Sequence, residues 1–358
     1  MAVSRGNIIN AADFNNLQSR INQLLGTGSQ DFGYGQPVQS RQVSATSSQE
    51  AVDADNITSS DINSLRNDIN TIHIHQTDSP IVTGLFQGTQ GQETNFQNAD
   101  NADVIGANRS AKEVLVDAQG NYTYVDEDNN KGLNDLINIV SILESNRLTI
   151  ADGQQEVQIR AADERTSDWN GTIVSAFTVS FSNLDQRRHF FNAGGQIRIE
   201  GTVEVPQSDQ ESLARNQGWK DMIENVGEVQ FDQVTTTVVK DDSTVNLPGI
   251  SFPDGAIGNE DLTDSYQVIF RKDANGGVYG DSYFKIEAKE DNNSTIRFRV
   301  VLVDDGPEGD ADFGEDGGVD GGIVEPITAD IEFEYSVRRA NGVVVVELPA
   351  FQIVNTFE

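Results

Sequence analysis

The apolar residues of this chain change period near residue 150, and that change limits it to a helical front and a β-sheet body. Beyond residue 150 the period is two. Ile197, Ile199, Val203 and Val205 share a face, with Arg198, Glu200, Thr202 and Glu204 opposite. Phe284, Ile286 and Ala288 alternate with Lys285, Glu287 and Lys289, and Ile296, Phe298, Val300 and Leu302 with Arg297 and Arg299. Ile331, Phe333, Tyr335 and Val337 alternate with Glu332, Glu334 and Arg338. Each run reads as a half-buried strand with one wet face. Turn signals separate them at Asn192-Ala193-Gly194-Gly195, Asn275-Gly276-Gly277, Asn292-Asn293 and Asn341-Gly342. The expected class is therefore mainly β with N-terminal α-helices, an antiparallel β-sandwich over 149–358.

Two features interrupt that body. A helix is expected near 209–226. Ser208 to Glu211 form its capping box, Trp219, Met222, Ile223 and Val226 its apolar face, and Gly227 its end. Residues 304–330 hold ten Asp or Glu and no Lys or Arg, which predicts an acidic, Gly-rich loop outside any core.

Ahead of the body, the chain repeats itself. Residues 7–25, NIINAADFNNLQSRINQLL, superimpose on residues 56–73, NITSSDINSLRNDINTIH, at an offset of 48. Asn10 and Thr58 stand where N-caps belong, Asp13 and Asp61 three residues later, and Ile9/Phe14 and Ile57/Ile62 have hydrophobic-staple spacing. Phe14, Leu17, Ile21 and Leu24, then Ile62, Leu65, Ile69 and Ile72, form one apolar stripe on each helix. Helices this short are marginal alone, so each stripe needs a partner. Either the two helices pair within the chain as a small hairpin-like unit, or these residues form an interface with a neighbouring protein or a symmetry mate. The region 1–80 thus reads as a duplicated helical attachment region. Its Gly-, Ser- and Gln-rich linker, Thr27 to Asn56, reads as an extended arm. Region 81–148 reads as linker, with a short hairpin pairing Glu113–Val116 with Tyr122–Val125. A connecting helix follows, marked by Leu133, Leu136, Ile137, Val140 and Leu143.

Charge narrows the partners. At −33 the chain is ill suited to nucleic acid or an anionic membrane. The hydrophobic content of 36% is low for one compact globule, which points to homo-oligomeric association. With no cysteines, disulfides and thiolate metal sites are excluded. Met1 to Gly6 lack an apolar h-region, so no secretory signal is expected.

Candidate chemistry is sparse. His73-Ile74-His75 would aim both rings one way in an extended chain and could gather a metal at a threefold axis, though solvated histidines at a helix end are the favoured reading. Asp126, Asp128 and Asn130 miss the EF-hand pattern, since Gly132 falls one position late and Ile137 stands where a bidentate Glu is needed. Asp310, Asp312, Glu315 and Asp316 could bind calcium weakly, but solvation is favoured. Arg187, Arg188 and His189 form a basic cluster, read as an ion-paired corner in preference to a partner contact. No nucleophile elbow, Walker A, HExxH or GxGxxG arrangement occurs. Catalytic, cofactor-binding and metal-binding residues are all expected to be absent.

Two stretches carry a resemblance. NAADFNNLQSRINQLLGTGSQDFGYGQ is followed by DINSLRNDINTIHIHQT, and FSNLDQRRHFFNAGGQIRIEG by GWKDMIENVGEVQF. They resemble virion structural proteins of tailed, T4-like bacteriophages, particularly the contractile-tailed phages of marine and cyanobacterial hosts. The resemblance covers most of residues 7–76 and 177–231, and departs at Asp78, where HQTG would be the family form. It implies a non-enzymatic particle component, assembled in the host bacterial cytoplasm, that contacts other virion proteins through its N-terminal region. Neck, tail, baseplate or short fibre is the expected position. The rival roles are an adhesin reading host glycans through loop aromatics (Trp169, Phe252, Tyr279, Phe313) and a capsid decoration protein. A depolymerase is disfavoured because the body lacks the short repeat of a β-helix.

Overall fold

A computed structural model describes residues 11–29, 32–43, 57, 59–81, 114–116, 122–124, 133–206, 213–241, 243–244, 247–274, 281–305 and 326–357. The chain divides into two compact units. The first comprises Met1–Glu156, Arg188–Gly194 and Arg339–Val346, and the second Val157–Arg187, Gly195–Arg338 and Glu347–Glu358.

The first unit is helical. Helix α1 (Ala11–Leu25) and α2 (Ser59–Thr77) are the duplicated pair, and both pack on α3 (Leu133–Ser145). Phe14, Leu17, Ile21, Leu24, Ile62, Leu65, Ile69 and Ile72 are all buried, as are Leu136, Ile139, Val140 and Leu143 of α3. Burying such a side chain contributes roughly 1.5–3 kcal/mol, enough to fix helices that would fray alone. This corrects the partner-interface assignment of the two stripes: the chain covers them itself, and they offer no surface to a neighbour. The alternative reading, pairing within the chain, describes the stripes, with α3 as a third member of the bundle. The short hairpin forms between β1 (Val114–Val116) and β2 (Tyr122–Tyr124), in antiparallel register from Val114 opposite Tyr124. The proposed N-caps Asn10 and Thr58, and Ile9 of the first staple, lie outside the described residues.

The second unit is a β-sandwich of two six-stranded sheets. Its strands in chain order are β3 (Gln155–Arg165), β4 (Gly171–Ser180), β5 (Gln196–Glu204), β6 (Glu228–Phe231), β7 (Thr236–Lys240), β8 (Ser243–Thr244) and β9 (Ile250–Ser251). Then come β10 (Gln267–Asp273), β11 (Tyr283–Asn292), β12 (Thr295–Asp304), β13 (Asp330–Ala340) and β14 (Ala350–Asn355). One sheet runs β14-β4-β12-β11-β10-β9 and the other β3-β13-β5-β6-β7-β8. All resolved pairings are antiparallel.

The two inner faces interlock through aromatic rings, as sheet-on-sheet packing requires. Phe177 of β4 stacks on Tyr335 of β13 at 4.0 Å, Phe231 of β6 meets Phe298 of β12 edge-on at 5.3 Å, and Phe284 of β11 lies 6.0 Å from Phe333 of β13. The hydroxyls of Tyr335 and Ser175 bond at 2.8 Å, and burial pushes the Tyr335 phenol far up, so it stays neutral.

Two helices serve this body. Helix α4 (Leu184–Asn192) precedes β5, so the expected turn at Asn192–Gly195 is a helix end, with Gly194 at φ 82°. Helix α5 (Leu213–Glu224) buries Trp219, Met222 and Ile223. It reaches the sheet at Gly201, where a Cβ would lie 2.5 Å from Ile223 Cγ2 and 2.8 Å from Phe333 Cε1. Glycine at this inward strand position makes room for the helix. The capping box Ser208–Glu211 and the interior of the acidic loop, 306–325, lie outside the described residues. The ends of that loop are tied down. Asp304 is buried in an ion pair with Arg215, and Asn216 Nδ2 donates to Thr328 Oγ1 at 2.8 Å.

Candidate functional site

The most elaborate polar site among the described residues is a clasp that holds an extended arm, residues 32–43, inside the helical unit. It starts where α1 ends. A helix leaves its last carbonyls without intrahelical donors. The arm supplies them: Tyr34 N–H donates to Leu24 O at 3.0 Å, Gln36 N–H to Leu25 O at 2.9 Å and Gly35 N–H to Gly26 O at 2.8 Å. That return needs left-handed backbone at Gly33 (φ 109°) and Gly35 (φ 70°), which glycine adopts without steric cost.

Side chains on α1 and α2 then hold the arm by its backbone. Asp68 accepts Gln39 N–H at 2.9 Å through Oδ1 and Ser40 N–H at 2.8 Å through Oδ2. Gln18 Nε2 donates to Ser40 O at 3.1 Å. Asn15 closes a two-way bond with Val43, donating to its carbonyl and accepting from its N–H, both at 2.8 Å. Farther along, Asn70 Oδ1 accepts Ile81 N–H at 2.8 Å. Arg41 pairs with Asp61 at 3.0 Å. Carboxamides and carboxylates that grip peptide groups fix the path of a chain while reading little of its sequence.

Tyr34 is the anchor. Its ring is buried and meets His75 edge-on at 4.8 Å. Its hydroxyl donates to Arg147 O at 2.7 Å and accepts from Gln76 Nε2 at 3.0 Å, while Gln76 Nε2 also donates to Leu143 O at 2.9 Å. Burial drives the phenol far above its usual range, keeping it a neutral donor.

The histidine pair takes its place here, and neither expected form holds. Both residues lie on helical α2, where a spacing of two does not align the rings, and both are buried. His73 Nδ1 donates to Ser79 O at 2.6 Å, and burial lowers its pKa, favouring the neutral ring. Asp78, which follows His75-Gln76-Thr77, sits in left-handed backbone at φ 58°, the place where glycine is cheapest. Its carboxylate accepts Gln154 Nε2 at 2.6 Å, which offsets the backbone cost.

The two stretches that carry the resemblance meet in this unit. A Cβ at Gly35 would overlap the His189 ring. Arg188 Nη2 donates to Thr27 O at 2.8 Å, and Gly194 makes room for Leu148 O, from which a Cβ would lie 2.7 Å. The Gly-Tyr-Gly-Gln piece thus lies against His189, the residue just ahead of Phe-Phe-Asn-Ala-Gly-Gly.

The other sequence candidates resolve as follows. Arg187 is buried in the second unit, where Nε donates to Asn259 Oδ1 at 2.8 Å and Nη1 pairs with Glu290 at 3.1 Å. The basic run therefore divides, with Arg187 forming the ion-paired corner and Arg188 and His189 facing the arm. Trp169 is buried against Trp219 at 5.0 Å, so it is no loop aromatic available to a glycan. Phe252 is half-buried, and Tyr279 and Phe313 lie outside the described residues, as do Asp126, Asp128, Asn130, Asp310, Asp312, Glu315 and Asp316. Among the described residues no group of three or more metal-ligating side chains occurs, and no helix is long and apolar enough to cross a membrane. Compared with known families, curated proteins and solved structures, the chain matches none.

Proposed function

We propose that this chain is a structural component of a tailed-bacteriophage virion, placed at the neck, tail or baseplate, with the helical unit as its attachment part and the β-sandwich as its body. The observation that carries the reading is the module at Gly35 and His189. Two segments far apart in sequence, each resembling phage virion proteins, meet there: the first supplies the arm and its clasp, and the second places His189 against Gly35 and Arg188 on Thr27. Holding peptide by its backbone is assembly chemistry, since it sets a chain's course and leaves no reacting atom.

Attachment falls to the outward polar faces of α1, α2 and α3, because their apolar stripes are covered within the chain. The acidic balance disfavours phosphate and anionic lipid as partners. The glycan-binding alternative is weakened by the burial of Trp169.

The test is a cryo-EM reconstruction of the particle encoded with this chain. Density at neck, tail or baseplate, with residues 11–81 against the neighbouring protein, is the expected result. Density on the capsid lattice would make it a decoration protein, and absence from the particle would overturn the proposal.

A further inference from the structure

Among the described residues, β3 ends one sheet with β13 on one side only, and β14 ends the other sheet beside β4. The two edges lie on the same side of the sandwich. Phe177 of β4 packs on Tyr335 of β13, and the chain leaving β14 is tied to β3. Phe357 N–H donates to Asp163 Oδ2 at 3.0 Å, and Arg165 Nη1 donates to Phe357 O at 2.9 Å.

Monomeric proteins blunt such edges with charged side chains, lysine above all, with proline or with very short strands. Strand β3 has 11 residues, QEVQIRAADER, without lysine or proline, and its charges, Glu156, Arg160, Asp163, Glu164 and Arg165, stand on either side of the stretch Val157–Ile159. Val157 is 50% exposed and Ile159 64%, the most exposed large apolar side chain among the described residues, and Val354 on β14 is 41% exposed. A long edge with apolar side chains in water is a template for another strand.

The sequence of β3 identifies that strand as a second β3. We infer that two copies pair through this edge, antiparallel, about a two-fold axis at Gln158, so that one sheet continues into the other. In this register Val157 faces Ile159 of the second copy, and Glu156, which its own chain already holds through Arg339 and Asn341, faces the second copy's Arg160; the two-fold repeats both pairs. Centring on Arg160 sets that arginine against itself and Glu156 against Glu164. Centring on Ala162 sets Ile159 against Arg165. Centring on Ile159 sets Val157 against Ala161 in place of Ile159. The same axis brings the β14 edges together. This association stands apart from the place of the chain in a particle, and it moves the expected self-contact from the helical stripes to the sheet edge.

The chain has no cysteine, so one introduced thiol reports without ambiguity. Opposed residues in an antiparallel pair have Cα atoms about 4.5–5.5 Å apart, inside the disulfide range. Full-length Gln158→Cys, mildly oxidised at about 0.15 M salt where the Debye length is about 8 Å, is expected to become a covalent dimer. Ala162→Cys is not, because its sulfurs would be separated by eight residues of strand, about 27 Å. Light scattering of the unmodified chain at tens of micromolar should give twice the mass of one chain, and Ile159→Lys, at an exposed site, should return it to monomer with the circular dichroism of the unmodified chain. A monomeric unmodified chain, or cross-linking of Ala162→Cys as readily as Gln158→Cys, would overturn the proposal.

Discussion

Asp68→Ala tests whether the arm is held by its backbone. Asp68 is buried and accepts two arm N–H groups, those of Gln39 and Ser40. Hydrogen bonds to a charged acceptor are worth about 1.5–3 kcal/mol, and a buried donor left without one costs about 1–3 kcal/mol. The two sites differ. Ser40 is buried, whereas Gln39 is exposed and its N–H can turn to water. Together they amount to about 3 kcal/mol, dominated by Ser40. Alanine is a better helix former than aspartate by about 0.5 kcal/mol, so α2 itself should not loosen. With two units in the chain, a single melting curve would blur the effect. Amide hydrogen exchange resolves it. Protection over residues 36–43 should fall roughly 100-fold, since about 1.4 kcal/mol is tenfold, while protection in α2 stays as it was. Asp68→Asn keeps one acceptor oxygen and should fall between the two. Unchanged arm protection in Asp68→Ala would refute the reasoning, and so would equal loss in α2, because then the carboxylate supports the helix and not the arm.

Other outcomes follow from the sandwich. Glu334 faces Glu200 across β13 and β5, and Glu200 faces Glu228 across β5 and β6. Burial, then the charges of Glu200, Glu332 and Glu228, raise the Glu334 pKa. A carboxyl raised in the folded state binds its proton more tightly there, so stability falls as pH rises from the unfolded range through the folded one. Glu334→Gln should therefore raise the thermal midpoint at neutral pH, and the gain should vanish below the ordinary glutamate range. Gly201→Ala should destabilise the second unit by about 1–3 kcal/mol through overpacking against Ile223 and Phe333, read by urea denaturation. Asp304→Ala removes the carboxylate that pairs with the buried Arg215 guanidinium and should cost about 3–5 kcal/mol, whereas Arg215→Met with Asp304→Leu should recover most of it in the same assay.

The parts legible in sequence were those written in local period. The stripes of α1, α2 and α3 and the alternation of β5, β11, β12 and β13 follow from residues two to four apart, and most of their inward positions are buried; in α3 Ile139 is buried in place of the expected Ile137, which is half-buried, and Glu287 on the expected wet face of β11 is buried. What escaped was written at long range. The arm read only as an extended linker because glycine, serine and glutamine carry no apolar period, yet its hold comes from Asn15 and Asp68, 28 residues away in each case. A trace of it was present: Gln18 is a buried polar residue beside the apolar stripe of α1. Helix α4 was hidden by its charge, LDQRRHFFN, and by an Asn-Ala-Gly-Gly tail that mimics a hairpin turn. The histidines were misplaced because α2 runs on to Thr77, two residues past His75, before Asp78 turns left-handed.

The duplication shows why packing is easier to read than binding. At the offset of 48 the apolar positions of the two helices agree, and both sets are buried. The polar positions have parted. Asp68 corresponds to Arg20, and the two do opposite work: Asp68 grips the arm, while Arg20 pairs with Glu144 of α3 at 2.6 Å and donates to Ser141 at 2.8 Å. Asn15 corresponds to Asn63. The first holds Val43 by both backbone groups, and the second accepts from Arg66 at 3.3 Å on its own exposed helix face. An apolar stripe tolerates any partner of suitable shape, so one pattern can serve twice. A hydrogen bond to a particular peptide group has one address, and the two helices have different neighbours. The repeat therefore encodes the bundle, and the differences within it encode what each helix holds.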